Sequence, residues 1–431
     1  MQRTVEALSP DDLRKLDLTH VLHPHSTVGR AGPPVIMARA KGATVWDIDG
    51  REYVDATCGL WQCAVGHGRE ELAEVAARQL RELEFYASFW DLSNEPAIRL
   101  AARLTDLAPP GLETVFYTNG GSEGVETAIK LVRRAWHARG AIDRKVILSR
   151  KQAYHGLGSA SLAATGIEPL REGFDPLPPG FVHLSVPHER AIGPNATDVL
   201  IDELERTIDD IGPERIAAFI GEPVIGVGGA IPPPEGYWGR VQEVLRRHGI
   251  LLIADEVITA YGRTGHWFAS ERYEIRPDVI NTAKALTSGY IPMGAMLIGP
   301  RVLDMLDGTP FRHGFTYNGH PVGAAVALAN LDIIEREGLV QRANEMGAYM
   351  LQGLKRLEGL PPVAEVRGVG MMFGIEIPDG DVLAIGRACR ERGVIVRAAP
   401  PNIMMSPPFV IERDQVDWIV AVLEEVLSKE A

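Results

Sequence analysis

Residues 114–136 read TVFYTNGGSEGVETAIKLVRRAW, and the texture of this stretch changes halfway along it. The first five residues are an apolar run rich in β-branched and aromatic side chains, which predicts a strand. After Ser122 the apolar residues Val125, Ile129, Val132 and Trp136 fall at the spacing of one helical face. Between the two stands Asn119-Gly120-Gly121-Ser122, so the unit is strand, tight turn, helix.

Working outward, the runs KVILS, IAAFIGE, GILLIADE, PDVINTAK and GAMLIG alternate with segments of helical period up to about residue 300. Continuous rather than alternating apolarity predicts strands covered on both faces, hence a parallel sheet with flanking helices, an α/β architecture. Residues 61–320 are read as this large domain. From 321 to 431 the texture becomes long amphipathic stretches, near 321–358 and 413–428, around a strand-like EVRGVGMMFGIEI, which predicts a smaller α+β domain. Residues 1–60 carry the hairpin-like ATVWDIDGREYVDA and a helix start at SPDD, with Ser9 as cap and Pro10 in the first turn. Their apolar face is too small for a core of their own, so they are expected to pack with the small domain.

The 431 residues carry a net charge of -13, which argues against nucleic acid or an anionic membrane as partner and for small molecules. Cys58, Cys63 and Cys389 form no CxxC pair, so neither a metal site nor a disulfide framework is expected. No apolar run reaches the roughly 18 residues of a membrane span, and the N-terminus has no basic start followed by an apolar stretch. A cytoplasmic protein is expected.

Ligands of an open parallel sheet sit beyond the carboxyl ends of its strands, so the polar residues ending each run carry the functional reading. Those are Asn119 to Ser122, Glu222, Asp255 with Glu256, and Lys284. A lysine at the end of a buried strand loses proton affinity and becomes a usable nucleophile toward an aldehyde. Asp255 terminates GILLIA, and a carboxylate there needs a cationic partner, which a protonated ring nitrogen would supply. The glycine turn, Ser122 and the positive end of the following helix make an anion site. Lysine, acid and phosphate site are the three things pyridoxal 5'-phosphate (PLP) asks of a protein. The same turn also fits the G-x-S-x-G nucleophile elbow, and Asp278 with His313 or His320 preserves the chain order of a serine hydrolase. That alternative lacks an upstream HGGG-type oxyanion segment and leaves Lys284 and Asp255 without a role.

The motifs TNGGSEGVETAIK, YHG at 154–156, GEPVIGVGG, ADEVITAYGRTG, NTAKALTSGYIPMGA, GFTYNGHP and RGVGMMFGIEI, in this order from about Trp46 to Ser406, resemble the class III (ω-type) PLP-dependent aminotransferases. The resemblance implies PLP fold type I, a Schiff-base role for Lys284 and a salt bridge from Asp255 to the ring nitrogen. It implies Val257 on one ring face, Tyr154 on the other, His155 and Glu222 beside the cofactor, and Gly120, Gly121 and Ser122 at the phosphate. Thr316 is implied to arrive from the second subunit of a homodimer, with a tetramer as the alternative assembly. Leu60, Trp61, Phe89, Trp90, Tyr154 and Val227 match substrate-pocket positions, and Arg397 matches an arginine that clamps an acceptor carboxylate. Here Pro400-Pro401 stands where relatives often carry a looser glycine-containing segment. The implied activity is ping-pong transfer from a primary amine or ω-amino acid to a small α-keto acid such as pyruvate. A decarboxylase or aminomutase of the same fold shares the same three groups, and a PLP-binding protein without catalysis is a further alternative.

Overall fold

A short hairpin, not the large sheet, opens the ordered β-structure. In the computed structural model, which describes residues 8–29, 32 and 34–429, Ser9 caps the helix Pro10–His20, its hydroxyl accepting the Asp12 N–H at 3.1 Å. Strands β1 (Met37–Lys41), β2 (Thr44–Asp47) and β3 (Glu52–Asp55) follow as an antiparallel meander.

The central sheet has seven strands: β4 (Thr114–Thr118), β5 (Val146–Arg150), β6 (Phe181–Leu184), β7 (Ile216–Gly221), β8 (Leu251–Asp255), β9 (Val279–Thr282) and β10 (Gly294–Ile298). Their spatial order is β4-β10-β9-β8-β7-β5-β6. Every residue of β7 and β8 is buried, as continuous apolarity demands of a strand covered on both faces. Leu251 and Ile253 pack with the helix Gly121–Ala138 on one face, while Leu252 joins the helices Ala196–Ile211 and Tyr237–Arg247 on the other.

One strand departs from the parallel expectation. β10 runs antiparallel to both neighbours, β4 and β9. The cause is local: only residues 283–293 join β9 to β10, too short for a crossover helix, so the chain must return beside the strand it has just left. That return loop carries Lys284. β6 escaped the sequence reading because Phe181–Leu184 is short and interrupted by His183.

A second sheet, β11 (Glu365–Val369), β12 (Met372–Glu376), β15 (Asn402–Met405) and β14 (Arg397–Ala399) in that spatial order, is antiparallel throughout and is backed by the helices Leu339–Lys355 and Arg413–Leu427. EVRGVGMMFGIEI is thus two strands joined by a turn. Strand β13 (Val394–Ile395) leaves this region to pair in parallel with β3, completing the N-terminal sheet. The helix Pro321–Arg336, read as the start of the second domain, packs against Glu70–Glu82 and Glu95–Leu107 and so bridges the two halves. Among the described residues no helix is long and apolar enough to cross a membrane.

Candidate active site

Five strands of the central sheet end at one cavity of about 330 Å³. β4 contributes Asn119, Gly120, Gly121 and Ser122; β5 leads to Tyr154, His155 and Gly156; β7 to Glu222; β8 to Asp255, Val257 and Ile258; β9 to Ala283 and Lys284. All five run in the same direction, so these residues share the carboxyl edge where ligands of open sheets bind. Nine of the residues singled out in the sequence therefore meet: Gly120, Gly121, Ser122, Tyr154, His155, Glu222, Asp255, Val257 and Lys284.

Lys284 starts a short 3-10 turn rather than ending a strand, with φ at 43°, a left-handed value that a non-glycine residue holds only under constraint. Removal from water pushes its amine pKa down to about 8, although Asp255 and Glu222 pull the other way. Glu222 is buried, and burial raises its carboxyl pKa; its two oxygens accept the Tyr154 and Gly226 N–H groups at 2.9 and 2.8 Å. That carboxyl thereby fixes the backbone at Tyr154.

Asp255 is buried, with Oδ2 2.7 Å from His155 Nδ1 and Oδ1 accepting the Val257 N–H at 3.3 Å. His155 is itself anchored, its backbone N–H donating to Thr165 Oγ1 at 2.9 Å, while its ring Nε2 is buried without a partner. The neighbouring Glu256 has a different job. Its oxygens accept N–H groups from Ala269 and Ser270 and the Thr259 hydroxyl, all within 2.9 Å, and it belongs to the scaffold.

At the other end of the cavity the helix Gly121–Ala138 begins with no side-chain cap, leaving its first-turn N–H groups open to an anion. Gly121 is required: a Cβ there would lie 2.8 Å from Val257 Cγ1. Gly156 is required too, since a Cβ would come 2.3 Å from Ser122 Oγ. Gly120 has extended backbone and open space, so its glycine is not demanded by this chain alone. Uncapped amides with a hydroxyl fit a phosphate, the buried Asp255 fits a cationic ring nitrogen, and a lysine of lowered pKa fits an aldehyde. The donor set matches PLP.

The remaining expected residues lie off this cavity. Trp61 is buried in a small cluster with Ile258 and Met404, against which Val227 packs. Leu60 is exposed. Phe89 meets the chain at Gly314, Trp90 is 90% exposed, and Thr316 is exposed in the same loop as Gly314. Arg397, on β14, has a buried Nε without a partner, and burial lowers its proton affinity; its charge acts on both Tyr154 and Lys284. Gln62, Thr287, Gly289, Ile291, Pro292 and Met293 also line the cavity and went unread. All but Gln62 belong to the loop after Lys284, whose antiparallel return the continuous apolar runs do not announce.

The hydrolase triad does not assemble. Ser122 follows the carboxyl end of β4, whereas Asp278 precedes β9, a strand running the same way, and so lies at the opposite edge. Asp278 binds the Leu252 N–H and Arg301, His313 meets Thr127 and Lys130, and His320 accepts the Val322 N–H.

Comparison with known proteins agrees with this geometry. The family model for aminotransferase class-III matches residues 26–427. Putrescine–pyruvate aminotransferase of Pseudomonas aeruginosa is 39% identical over 414 residues, covering 92% of this chain and 91% of the relative. The crystal structure of an (S)-enantioselective omega-transaminase from Thermomicrobium roseum superposes with a TM-score of 0.96 at 43% identity, covering 98% of this chain and 99% of that one. The omega transaminase of Pseudomonas jessenii in complex with PMP gives 0.94 at 37% identity, covering 97% and 98%.

Proposed function

The chain belongs to the class-III aminotransferases, PLP-dependent enzymes of fold type I, and from that premise we propose that it carries an amino group from a primary amine or ω-amino acid to a small α-keto acid, pyruvate foremost. The observation that carries the reading is the pair at one end of the cavity: a lysine whose pKa is pushed down to about 8 and a buried aspartate already engaged by a histidine. The named activity of the Pseudomonas aeruginosa relative supports the choice of acceptor.

In this reading Lys284 would hold the cofactor's aldehyde, Asp255 its ring nitrogen, Val257 and Tyr154 its two faces, and Gly120, Gly121, Ser122 and the helix start its phosphate. When bound, PLP supplies a carbonyl that accepts the amine and an electron-withdrawing ring beside the carbon to be deprotonated. Lys284 Nζ, once freed, takes the proton from the donor carbon as general base and returns it as general acid, a task its lowered pKa suits near neutral pH. Asp255 keeps a proton at the ring nitrogen, with His155 fixing the carboxylate's orientation. Arg397, with an unpartnered Nε, would grip the acceptor's carboxylate.

A homodimer with shared sites is part of the proposal. Tyr86, Trp90 and Tyr317 are exposed together with Thr316, an aromatic patch that a second copy would cover. The free thiols Cys58, Cys63 and Cys389 support a reducing compartment such as the cytoplasm.

Two variants test the assignment. Lys284→Ala should lose turnover by at least about 100- to 10,000-fold and lose the internal cofactor absorbance with the fold intact. Arg397→Ala should raise KM for the keto acid roughly 10- to 100-fold and leave apolar amines unaffected. Full activity in the first, or an unaltered acceptor profile in the second, removes that residue from its role.

A further inference from the structure

The turn Cys58–Trp61 is wound left-handed. Its φ values are 54° at Cys58, 54° at Gly59, 76° at Leu60 and 69° at Trp61. The N–H of Trp61 donates to the Thr57 carbonyl at 2.7 Å and that of Gln62 to the Cys58 carbonyl at 2.8 Å, closing one left-handed helical turn. L-residues visit this region singly, because Cβ crowds the next carbonyl oxygen; three non-glycine residues among four consecutive ones persist only where surroundings hold them.

The holder is a buried carboxylate. Asp55, the last residue of β3, accepts the Thr57 N–H at 2.9 Å and the Thr57 hydroxyl at 2.7 Å through Oδ1, and the Gly59 N–H at 2.7 Å through Oδ2. His67 Nε2 meets the same Oδ2 at 3.0 Å. His67 is itself pinned, exchanging backbone hydrogen bonds of 2.9 Å with Gly42, and a Cβ on Gly59 would stand 3.6 Å from its Cε1. Neither residue lines the cavity.

What the turn delivers does reach the cavity. Trp61, buried, packs with Ile258, which is a lining residue, and Gln62 enters the lining directly, packed against Gly289. If the turn relaxed to a right-handed or extended path, Trp61 and Gln62 would exchange these positions for others. We propose that Asp55 and His67 are positioning residues for amine selection: they latch the left-handed turn that sets Gln62 in the lining of the substrate cavity, with Trp61 packed behind the lining residue Ile258. The proposal rests on the aminotransferase reading for the identity of the substrate, and on the turn alone for the latch.

The experiment uses the holoenzyme of the wild type, His67→Ala, Asp55→Asn and His67→Ala combined with Cys58→Gly, with His67→Leu, which removes the donor but keeps bulk, in place of any alanine variant that fails to fold. Each is assayed for KM and kcat with a panel of primary amines of increasing bulk and with pyruvate. The apoenzyme is followed by hydrogen exchange over residues 57–63. Expected are an amine KM raised at least tenfold in both single variants, pyruvate KM and cofactor absorbance unchanged, faster exchange in the segment, and return of both readouts toward wild type on adding glycine at position 58, which adopts the left-handed backbone without strain although it gives up the Cys58 Sγ contact to Arg263. An unchanged amine KM with unchanged exchange overturns the latch; so does a joint rise of both KM values with cofactor loss that glycine does not rescue. Should the wild type process no amine at all, the aminotransferase reading falls, and the exchange and its rescue by glycine decide the latch alone.

Discussion

At Lys284 two opposing influences meet. Removal from water lowers the amine's proton affinity while Asp255 and Glu222 raise it, and the first wins, leaving a pKa of about 8 against the usual 10.5. The free amine fraction in the folded chain therefore rises through pH 8, and capture of PLP by the apoenzyme should follow the same curve. A capture rate that keeps climbing toward pH 10.5 would show an amine that burial has not touched. Asp255 and Glu256 make the complementary point: adjacent carboxylates on one buried run differ because the first faces the cavity with a histidine behind it, while the second is consumed by the backbone of Ala269 and Ser270. Sequence could place both at a strand end. Asp255, which terminates GILLIA, could be read there as the partner of a ring nitrogen, but nothing in the run shows that Glu256 turns into the scaffold, since continuous apolarity along a buried strand gives neither face a polarity.

At the scale of elements, the site depends on how closely the helix Gly121–Ala138 approaches β9. A Cβ on Gly124 would fall 1.8 Å from Asn281 Oδ1, and Asn281 Nδ2 donates to the Gly121 carbonyl at 3.1 Å. Gly124→Ala must therefore push Asn281 aside and loosen the turn proposed to hold the phosphate. We expect a loss of about 1–3 kcal/mol in stability with weaker cofactor binding, measured by denaturant unfolding of the apoenzyme and by PLP titration. Unchanged values in both would mean the helix stands further off. The elements themselves were legible where burial writes continuous apolar runs, as in β7, β8 and the helix after Ser122. They were illegible where a loop length or a strained conformation decides: the antiparallel β10, the brief β6, and the left-handed turn at Cys58–Trp61, whose sequence CGLW carries one glycine for four positive φ values.

For the whole molecule, the residues that stay off the cavity are as informative as those on it. Phe89, half-buried against Gly314, and the exposed Trp90 and Thr316 stay out of the chain's own pocket, which is the arrangement expected if they serve a second copy. Sedimentation should give the mass of two chains or a multiple of it; the mass of one chain would take the second subunit out of the site. The central claim is more general than assembly: one lysine and one aspartate at the carboxyl edge of the sheet run a reversible amino transfer. Its most direct test is absorbance of the PLP-loaded enzyme during addition of a primary amine and then of pyruvate, without turnover conditions. The amine should convert the enzyme to the pyridoxamine form, and the keto acid should restore the pyridoxal form. A loaded enzyme whose spectrum responds to neither across a panel of amines and keto acids would contradict it.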